Sequence, residues 1–242
     1  MVDVQNKWVF VTGASRGLGS LCALYMADKG ANLILQARSL SALETTANMA
    51  RAAGVQVHCF ACDLGDEAQV KAMLADIDAL GVRVDIVLNN AGIQVTYRND
   101  YYETPAEDFI TSLRVNTIAP ALICYHFLPK MIEAGFGRIV NTTSGIALEP
   151  QQAAYSASKA ALDKITVDLG STVEGTDVII SLTDPGWCRT DLGGPNAPNS
   201  PESALPGLVV GAFVDDGKSG RLFRAQDYAG MTIEEAVLKA EG

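Results

Sequence analysis

Short runs of β-branched and aliphatic residues alternate along the chain with longer stretches in which apolar residues recur at helical spacing. The strand-like runs are residues 7–12, 32–37, 55–61, 84–89, 138–143 and 178–183, with a weaker run at 221–223. The helical patterns cover residues 18–29, 41–53, 67–80, 105–133 with interruptions, and 155–173. Apolar strands separated by helices are typical of a sheet covered on both faces. The pattern predicts an α/β fold, a doubly wound parallel sheet of about seven strands.

One stretch departs from this alternation of strands and helices. Residues 192–206 are rich in Gly, Pro, Asn and Ser and predict a long exposed loop after the sixth strand. Loops at the carboxyl ends of parallel strands are where ligands bind in such sheets. We therefore expect residues 1–242 to form a single domain in which residues 192–206 serve as a substrate-binding loop.

Composition and charge exclude several classes of protein. Hydrophobic residues make up 48% of the chain and charged residues 19%, which excludes a disordered protein. The formal net charge of −10, without a basic patch, makes nucleic acid and anionic membranes unexpected partners. No segment approaches the ~20 apolar residues that span a bilayer. The first residues do not fit a signal peptide, and together with the five cysteines they indicate the cytoplasm.

The first predicted strand runs into the first predicted helix through a glycine-rich segment, Thr12-Gly13-Ala14-Ser15-Arg16-Gly17-Leu18-Gly19. Gly13 permits the tight turn, Gly17 lets the backbone approach a pyrophosphate, and Gly19 lets the helix pack closely on the sheet. Unpaired N–H groups at the helix N-terminus then face the phosphates. A glycine triplet alone is a weak signal, but its place between a strand and a helix favours a dinucleotide-binding loop.

Further motifs follow at intervals through most of the chain. They are Asn89-Asn90-Ala91-Gly92 after the fourth predicted strand, Val115-Asn116, Ser144, Tyr155-Ser156-Ala157-Ser158-Lys159, and Pro185-Gly186 followed by Thr190. Together with the spacing of the three glycines, their order resembles the short-chain dehydrogenase/reductase (SDR) family in its short single-domain form. The resemblance implies a Rossmann-like fold and an NAD(P)(H)-dependent oxidoreductase.

Tyr155 and Lys159 are four residues apart, which places them on one face of a predicted helix. A free phenol has a pKa of about 10 and transfers protons poorly at neutral pH. A neighbouring ammonium group, together with the positive charge of an oxidised nicotinamide, favours the phenolate and lowers that pKa. The pair can then exchange a proton with a reacting oxygen near neutral pH.

The resemblance to the SDR family implies a role for each of four residues. Tyr155 would be the general acid in carbonyl reduction and the base in alcohol oxidation, and Lys159 would hold the nicotinamide ribose. Ser144 would hydrogen-bond the substrate oxygen and stabilise the charge that develops there. Asn116 would kink its helix, where asparagine is intrinsically unfavourable, and hold a water that relays protons to Lys159.

The segment between Ser144 and Tyr155 is shorter than in most relatives of this type. Ser144 lies eleven residues before Tyr155. Since this segment lines the predicted pocket, its shortening should alter the shape of the substrate more than the chemistry. Thr142 and Thr143 are alternative hydroxyls if the register differs, but the end of the predicted strand at residue 143 favours Ser144.

The residues after the second predicted strand bear on the choice of cofactor. An NAD-preferring site usually places an acidic side chain there, whereas this chain has Ala37, Arg38 and Ser39. Arg38, with Arg16 from the glycine loop, suits a 2′-phosphate, which favours NADP(H) over NAD(H). In the alternative, Arg38 only caps a surface turn and both cofactors bind. The resemblance adds further cofactor contacts: Gly13, Ser15, Gly17, Leu18, Gly19, Asp63, Leu64, Asn90, Ala91, Gly92, Tyr155, Lys159, Pro185, Gly186, Cys188 and Thr190.

The expected substrate pocket is mostly apolar. Its residues are Ile93, Gln94, Ser144, Ile146, Leu148, Trp187 and Leu192. This lining indicates a small substrate that is uncharged or only partly polar. Tyr97, Tyr101 and Tyr102 either rim this pocket or cover an exposed helix end. We expect no metal site, because His58 and His126 are the only histidines and no second cysteine pair complements Cys59 and Cys62.

These observations predict an NADPH-dependent carbonyl reductase that acts on a small, largely apolar ketone or aldehyde. One alternative is an NAD(P)-dependent secondary-alcohol dehydrogenase that works in the oxidative direction. Another is a nucleotide-sensing protein that has the fold without turnover, although Tyr155 and Lys159 are both intact. The resemblance also implies a homodimer or homotetramer that assembles through the helical patterns at 105–133 and 155–173.

Overall fold

The computed structural model describes residues 1–242 and contains one seven-stranded sheet. Its strands are β1 Trp8–Val11, β2 Asn32–Ala37, β3 Val57–Ala61, β4 Val84–Asn89, β5 Gly137–Thr142, β6 Val178–Asp184 and β7 Leu222–Arg224. They lie in the order β3-β2-β1-β4-β5-β6-β7, and every neighbouring pair is parallel. The strand order reverses between β1 and β4, so a crevice opens at their carboxyl ends. The predicted α/β fold, a Rossmann-like doubly wound parallel sheet, is confirmed.

Seven helices surround this sheet. They are α1 Gly17–Asp28, α2 Glu44–Ala52, α3 Glu67–Ala79, α4 Ala106–Leu113, α5 Ala119–Ala134, α6 Ala153–Ser171 and α7 Ile233–Glu241. Residues of α1, α2 and α7 belong to one hydrophobic cluster, and residues of α3 and α5 belong to a second. No helix combines the length and apolar character that crossing a membrane requires.

Alternate residues of the strands supply the two clusters. Val9 and Val11 of β1 pack in the first cluster, whereas Phe10 packs in the second. Leu33 and Ile34 of β2 divide in the same way. Successive side chains of a strand point to opposite faces, so strands that are apolar throughout require helices on both sides.

The long helical pattern at 105–133 is two helices joined by an irregular turn. A π-helical turn, Arg114–Ile118, connects α4 to α5 and contains Asn116, where the sequence predicted a kink. Such turns insert an extra residue into the helical ladder and are frequent at functional sites. Helix α5 then continues to Ala134. Gly135, with a φ of 68°, is its left-handed C-cap.

The C-terminal helix α7 was absent from the predicted elements. Thr232 precedes it and forms a capping box with Glu235, because each side chain bonds the other residue's backbone N–H. A Thr three residues before a Glu is a helix-start signal that could have revealed this helix.

Candidate active site

The carboxyl ends of the central strands open into a cavity of about 1280 Å³. Residues from the glycine loop, the end of β2 and the segments after β4 and β6 line it together with α6. The lining includes all predicted cofactor contacts except Gly19, Gly186 and Cys188. The fold therefore brings residues that are far apart in the chain to one cleft.

The glycine loop is built so tightly that two of its glycines cannot be replaced without a shift. Gly13 has a φ of 66°, and a Cβ atom there would lie 2.9 Å from Cα of Ala91. A Cβ on Gly19 would overlap the carbonyl oxygen of Gly13 and lie 2.5 Å from Nδ2 of Asn90. This close packing holds the loop against its neighbours. The backbone N–H groups at the start of α1 then remain available to a ligand at the mouth of the loop.

Gln36 supports this loop from β2, and the sequence reasoning did not identify it. Its Oε1 accepts a hydrogen bond from the N–H of Gly13 at 3.0 Å, and its Nε2 donates to the carbonyl of Cys62 at 2.8 Å. The side chain is almost fully buried. A polar residue in an otherwise apolar strand was the available signal, because buried polar groups are kept where they have partners.

Asn116 fastens the π-helical turn to the segment after β4. Its Oδ1 accepts a hydrogen bond from the N–H of Ile93 at 2.8 Å, and its Nδ2 donates to the carbonyl of Ile93 at 2.9 Å. Nδ2 also donates to Oγ of Ser158 at 3.0 Å. Gly92 lies beside this turn, where an added Cβ would be 3.4 Å from both Asn116 Oδ1 and Lys159 Nζ.

Lys159 is a buried amine in the first half of α6. Its Nζ donates to the carbonyl of Thr142 at 2.8 Å and lies 6.0 Å from the ring centre of Tyr155. Burial lowers the pKa of Lys159 to about 8, and the charge of Asp163 opposes part of this change. The ammonium form is therefore far less favoured here than on a surface lysine.

Tyr155 is buried as well, and the effect on its phenol is opposite to the one expected from the sequence. Burial raises the pKa of Tyr155, a hydrogen bond with Ser144 lowers it in part, and the charge of Asp184 raises it further. The expected lowering relied on a neighbouring ammonium group together with the positive charge of a bound oxidised nicotinamide. In the protein alone, the loss of solvation outweighs such effects, because burial disfavours the phenolate.

The predicted substrate residues divide into two groups. Ile93, Gln94 and Leu192 line the cavity. Ser144 lies beside Tyr155, and its Oγ accepts a hydrogen bond from the N–H of Ile146 at 3.3 Å. Thr142 and Thr143, the alternative hydroxyls, both line the cavity.

The structure does not bring Ser144, Ile146, Leu148 and Trp187 into the lining of the cavity. Leu148 is 99% exposed, because it sits at a turn with a φ of 61° that carries its side chain into solvent. Trp187 is 58% exposed, and its Nε1 donates to the carbonyl of Gly193 at 2.7 Å. That bond holds the indole on its own loop.

Other residues enter the cavity that the sequence did not assign to the pocket. The lining also contains Val95, Tyr97, Thr111 and Gln152. Tyr97 thus borders the cavity, whereas Tyr101 and Tyr102 lie outside it, with their exposed rings tilted by 43° and their centres 4.4 Å apart. Val95 and Tyr97 could have been found from the sequence, because they follow the end of strand β4. No sequence pattern distinguishes Gln152.

Comparison with known proteins identifies the family. The sequence model described as short chain dehydrogenase matches residues 7–200. The chain belongs to the short-chain dehydrogenase/reductase family. Its parallel sheet has the Rossmann-like fold of that family.

Individual relatives agree with this assignment. The ketoacyl reductase HetN of Nostoc is 32% identical over 192 residues, which cover 77% of this chain and 65% of the relative. A short chain dehydrogenase from Salmonella enterica serovar Typhi has a TM-score of 0.82 at 27% identity, covering 92% of this SDR chain and 97% of the other. A metagenomic short-chain oxidoreductase in complex with NADP has a TM-score of 0.70 at 31% identity, and the match covers 76% of this chain and 84% of the other.

The SDR chain spans about 65% of the length of the first curated relatives it matches.

Proposed function

We propose that the protein reduces the carbonyl group of a small ketone or aldehyde to an alcohol, with NADPH as hydride donor and Tyr155 as general acid. The observation that carries this proposal is the buried Tyr155 phenol that lines the cavity, beside Ser144 and on the same helix as Lys159. A protonated phenol beside a hydroxyl can hold and neutralise a carbonyl oxygen that gains negative charge.

The cleft fits a dinucleotide on its own geometry. Gly13 and Gly19 let the loop pack closely against Ala91 and Asn90, and α1 begins at the loop without a side-chain cap on its backbone donors. Arg16 and Arg38 line the same cleft, and no ion pair involves Arg38. Two guanidinium groups beside Ala37, where an acidic side chain would favour NAD, support a preference for the 2′-phosphate of NADP(H).

Each residue of the proposed mechanism has a defined task. The nicotinamide, when bound, supplies the hydride. Tyr155 donates its proton to the carbonyl oxygen, and its raised pKa keeps that proton available at neutral pH. Ser144 donates a second hydrogen bond to the same oxygen. Lys159, whose pKa is about 8, can return a proton toward Tyr155 at little cost near neutral pH.

The assay that tests this proposal measures the oxidation of NADPH by its absorbance with a panel of ketones, diketones, aldehydes and quinones. Tyr155→Phe should abolish turnover while NADPH still binds, because the ring remains and only the proton donor is lost. Tyr102→Phe is the matched control, since Tyr102 is 87% exposed and lies outside the cavity. Turnover that survives in Tyr155→Phe would refute the assigned acid.

A second variant tests the cofactor preference. Arg38→Asp should shift the ratio of kcat/KM toward NADH, since it removes a phosphate ligand and supplies a partner for the ribose hydroxyl. Arg51→Asp is a control, because Arg51 lies on α2 outside the cleft. An unchanged NADPH/NADH ratio in Arg38→Asp would mean that Arg38 only caps a surface turn.

Association into a homodimer or homotetramer belongs to the same proposal. Ile110 of α4, Ile132 of α5 and Val167 of α6 are large apolar residues that remain exposed in the monomer. Apolar side chains gathered on neighbouring helices favour burial against a second copy. Sedimentation velocity on the purified protein decides between these states and a monomer.

A further inference from the structure

Gln152 is a buried residue at the cavity wall whose amide oxygen has no hydrogen-bond partner in the protein. The residue ends the short turn Pro150–Gln152 that leads into α6, and it is 4% exposed. It lines the cavity together with Tyr155 and Gln94. Its Oε1 has no hydrogen-bond partner.

An unpaired amide oxygen is unfavourable in a protein interior. A buried acceptor without a donor loses its hydration and gains nothing in return, so nearly all such groups have partners. Gln152 contrasts with Gln36 in this respect, because both amide atoms of Gln36 are hydrogen-bonded. Exceptions of this kind call for a specific explanation, and a ligand in the adjoining cavity supplies one.

The backbone that carries Gln152 is held in place from both sides. The N–H of Gln152 donates to the carbonyl of Glu149 at 2.9 Å, and the N–H of Arg98 donates to the carbonyl of Gln151 at 3.1 Å. The guanidinium of Arg98 in turn binds both carboxylate oxygens of Asp108, at 2.8 and 3.0 Å. The terminal torsion of a glutamine side chain is soft, so that rotation about it can present the oxygen to the cavity that Gln152 lines.

The position of Gln152 relative to Tyr155 limits what it can contact. Residues three apart at the start of a helix have Cβ atoms about 5–6 Å apart. Because both residues border the same cavity, one small substrate can contact Tyr155 and Gln152 together. An oxygen acceptor at that place calls for a hydrogen-bond donor on the substrate.

We propose that Gln152 is a specificity-determining residue that accepts a hydrogen bond from a hydroxyl group next to the reacting carbonyl, so that hydroxyketones are preferred over ketones without a donor. The inference rests on the proposed carbonyl reduction and narrows its substrate class. It also revises the largely apolar pocket expected from the sequence, because Gln94, Thr143 and Gln152 all line the cavity.

The test compares hydroxyacetone with fluoroacetone as substrates for NADPH oxidation. Fluorine is close to a hydroxyl in size and also withdraws electrons, but it donates no hydrogen bond. The ratio of kcat/KM for the two ketones is measured in the wild type, in Gln152→Leu and in Gln151→Leu. Gln151 is the matched control, since it is the neighbouring glutamine and does not line the cavity.

We expect Gln152→Leu to lower the hydroxyacetone/fluoroacetone ratio about tenfold, which is the effect of one well-placed hydrogen bond. Gln151→Leu should leave the ratio at its wild-type value. Cofactor affinity, measured by quenching of NADPH fluorescence, should be the same in all three proteins and also verifies that each is folded.

Two results would overturn the inference in different ways. Turnover of both ketones with equal ratios in the wild type and Gln152→Leu refutes the role of Gln152 and leaves carbonyl reduction intact. Absence of turnover with every carbonyl compound, despite NADPH binding, refutes the proposed function itself and removes the basis for this inference.

Discussion

Arg16 on the glycine loop and Asp191 on the loop after β6 form an ion pair across the mouth of the cleft. Nη1 of Arg16 lies 3.0 Å from Oδ2 of Asp191, and both side chains are mostly exposed. An exposed pair of this kind adds little to stability. Its importance lies in its place, because Arg16 is one of the two guanidinium groups proposed to bind the 2′-phosphate.

Asp191→Asn should strengthen the binding of NADPH and leave the binding of NADH unchanged. The carboxylate competes with a 2′-phosphate for Arg16 and repels it, so its removal should lower the Kd of NADPH about two- to fivefold. Fluorescence titrations of both cofactors at low and high salt measure this. The difference should shrink at high salt, since exposed charges are screened. A parallel change for NADH would disprove competition at Arg16.

The raised pKa of Tyr155 predicts opposite pH profiles for the two directions of the reaction. Reduction needs the protonated phenol, so kcat/KM for reduction should be flat at neutral pH and fall at alkaline pH. Oxidation needs the phenolate and should rise over the same range. Profiles of both reactions at saturating cofactor provide the measurement. A reduction rate that falls already below neutral pH would contradict a proton held on Tyr155.

Asp184→Asn should move that alkaline inflection to lower pH. The charge of Asp184 contributes to the raised pKa of Tyr155, and an uncharged amide removes this contribution. The asparagine oxygen can still accept the hydrogen bond that Oδ1 receives from the N–H of Gly186 at 2.9 Å. An unmoved inflection, with unchanged cofactor affinity, would show that Asp184 has no electrostatic effect on the phenol.

Lys159→Met should stabilise the protein below pH 8 while it removes activity. The pKa of Lys159 is lowered from 10.5 to about 8 in the folded state, so the unfolded chain binds this proton more tightly. The free energy of unfolding therefore rises with pH between about 8 and 10.5, and below pH 8 burial of the ammonium costs about 3 kcal/mol. Loss of the bond to Thr142 offsets roughly 1 kcal/mol of the gain.

Urea unfolding of the wild type and Lys159→Met at pH 7 and pH 10 checks this sign. The variant should be more stable by about 1–2 kcal/mol at pH 7, and the gain should be smaller at pH 10. A variant that is less stable than the wild type at pH 7 would show that the lysine contributes favourable contacts that outweigh its desolvation.

Arg138→Met should destabilise the fold without a direct effect on the site. Arg138 is fully buried at the start of β5 and donates to the carbonyls of Val214 and Asp177 and to the carboxylates of Asp177 and Asp215. Its removal leaves these groups without their donor, for a loss of about 2–4 kcal/mol. Lys71→Met, at an exposed pair on α3, should change stability by less than about 0.5 kcal/mol. Equal effects of the two variants in urea unfolding would refute the structural role of Arg138.

Local patterns were sufficient for the sheet and the glycine loop. Strand β2 was predicted with the bounds it has, and β4 likewise, because an apolar run bounded by glycines and polar residues carries its own signal. β3 begins at Val57 rather than at residue 55. Strand ends depend on which residues find a pairing partner, so a pattern within one strand does not determine them.

Contacts between distant segments decided the details of the site. Asn116 was predicted to kink its helix, but its bonds to Ile93 join residues 23 positions apart. Leu148 was predicted to line the pocket, yet it lies in solvent, whereas Gln152 lies in the wall. The side of a loop that faces a cavity depends on the packing of the whole loop against its neighbours.

The sequence by itself determined the parallel α/β sheet, the phosphate loop and the Tyr155–Lys159 pair. Each follows from the spacing of residues within a short stretch of the chain or from the alternation of such stretches. Only the tertiary structure decided the pKa values and the hydrogen bonding of the side chains at the site. The raised pKa of Tyr155, the lowered pKa of Lys159 and the unpaired oxygen of Gln152 all result from burial. Burial is the sum of contacts from segments far apart in the chain, and the physical cost of removing a group from water appears only when those segments meet.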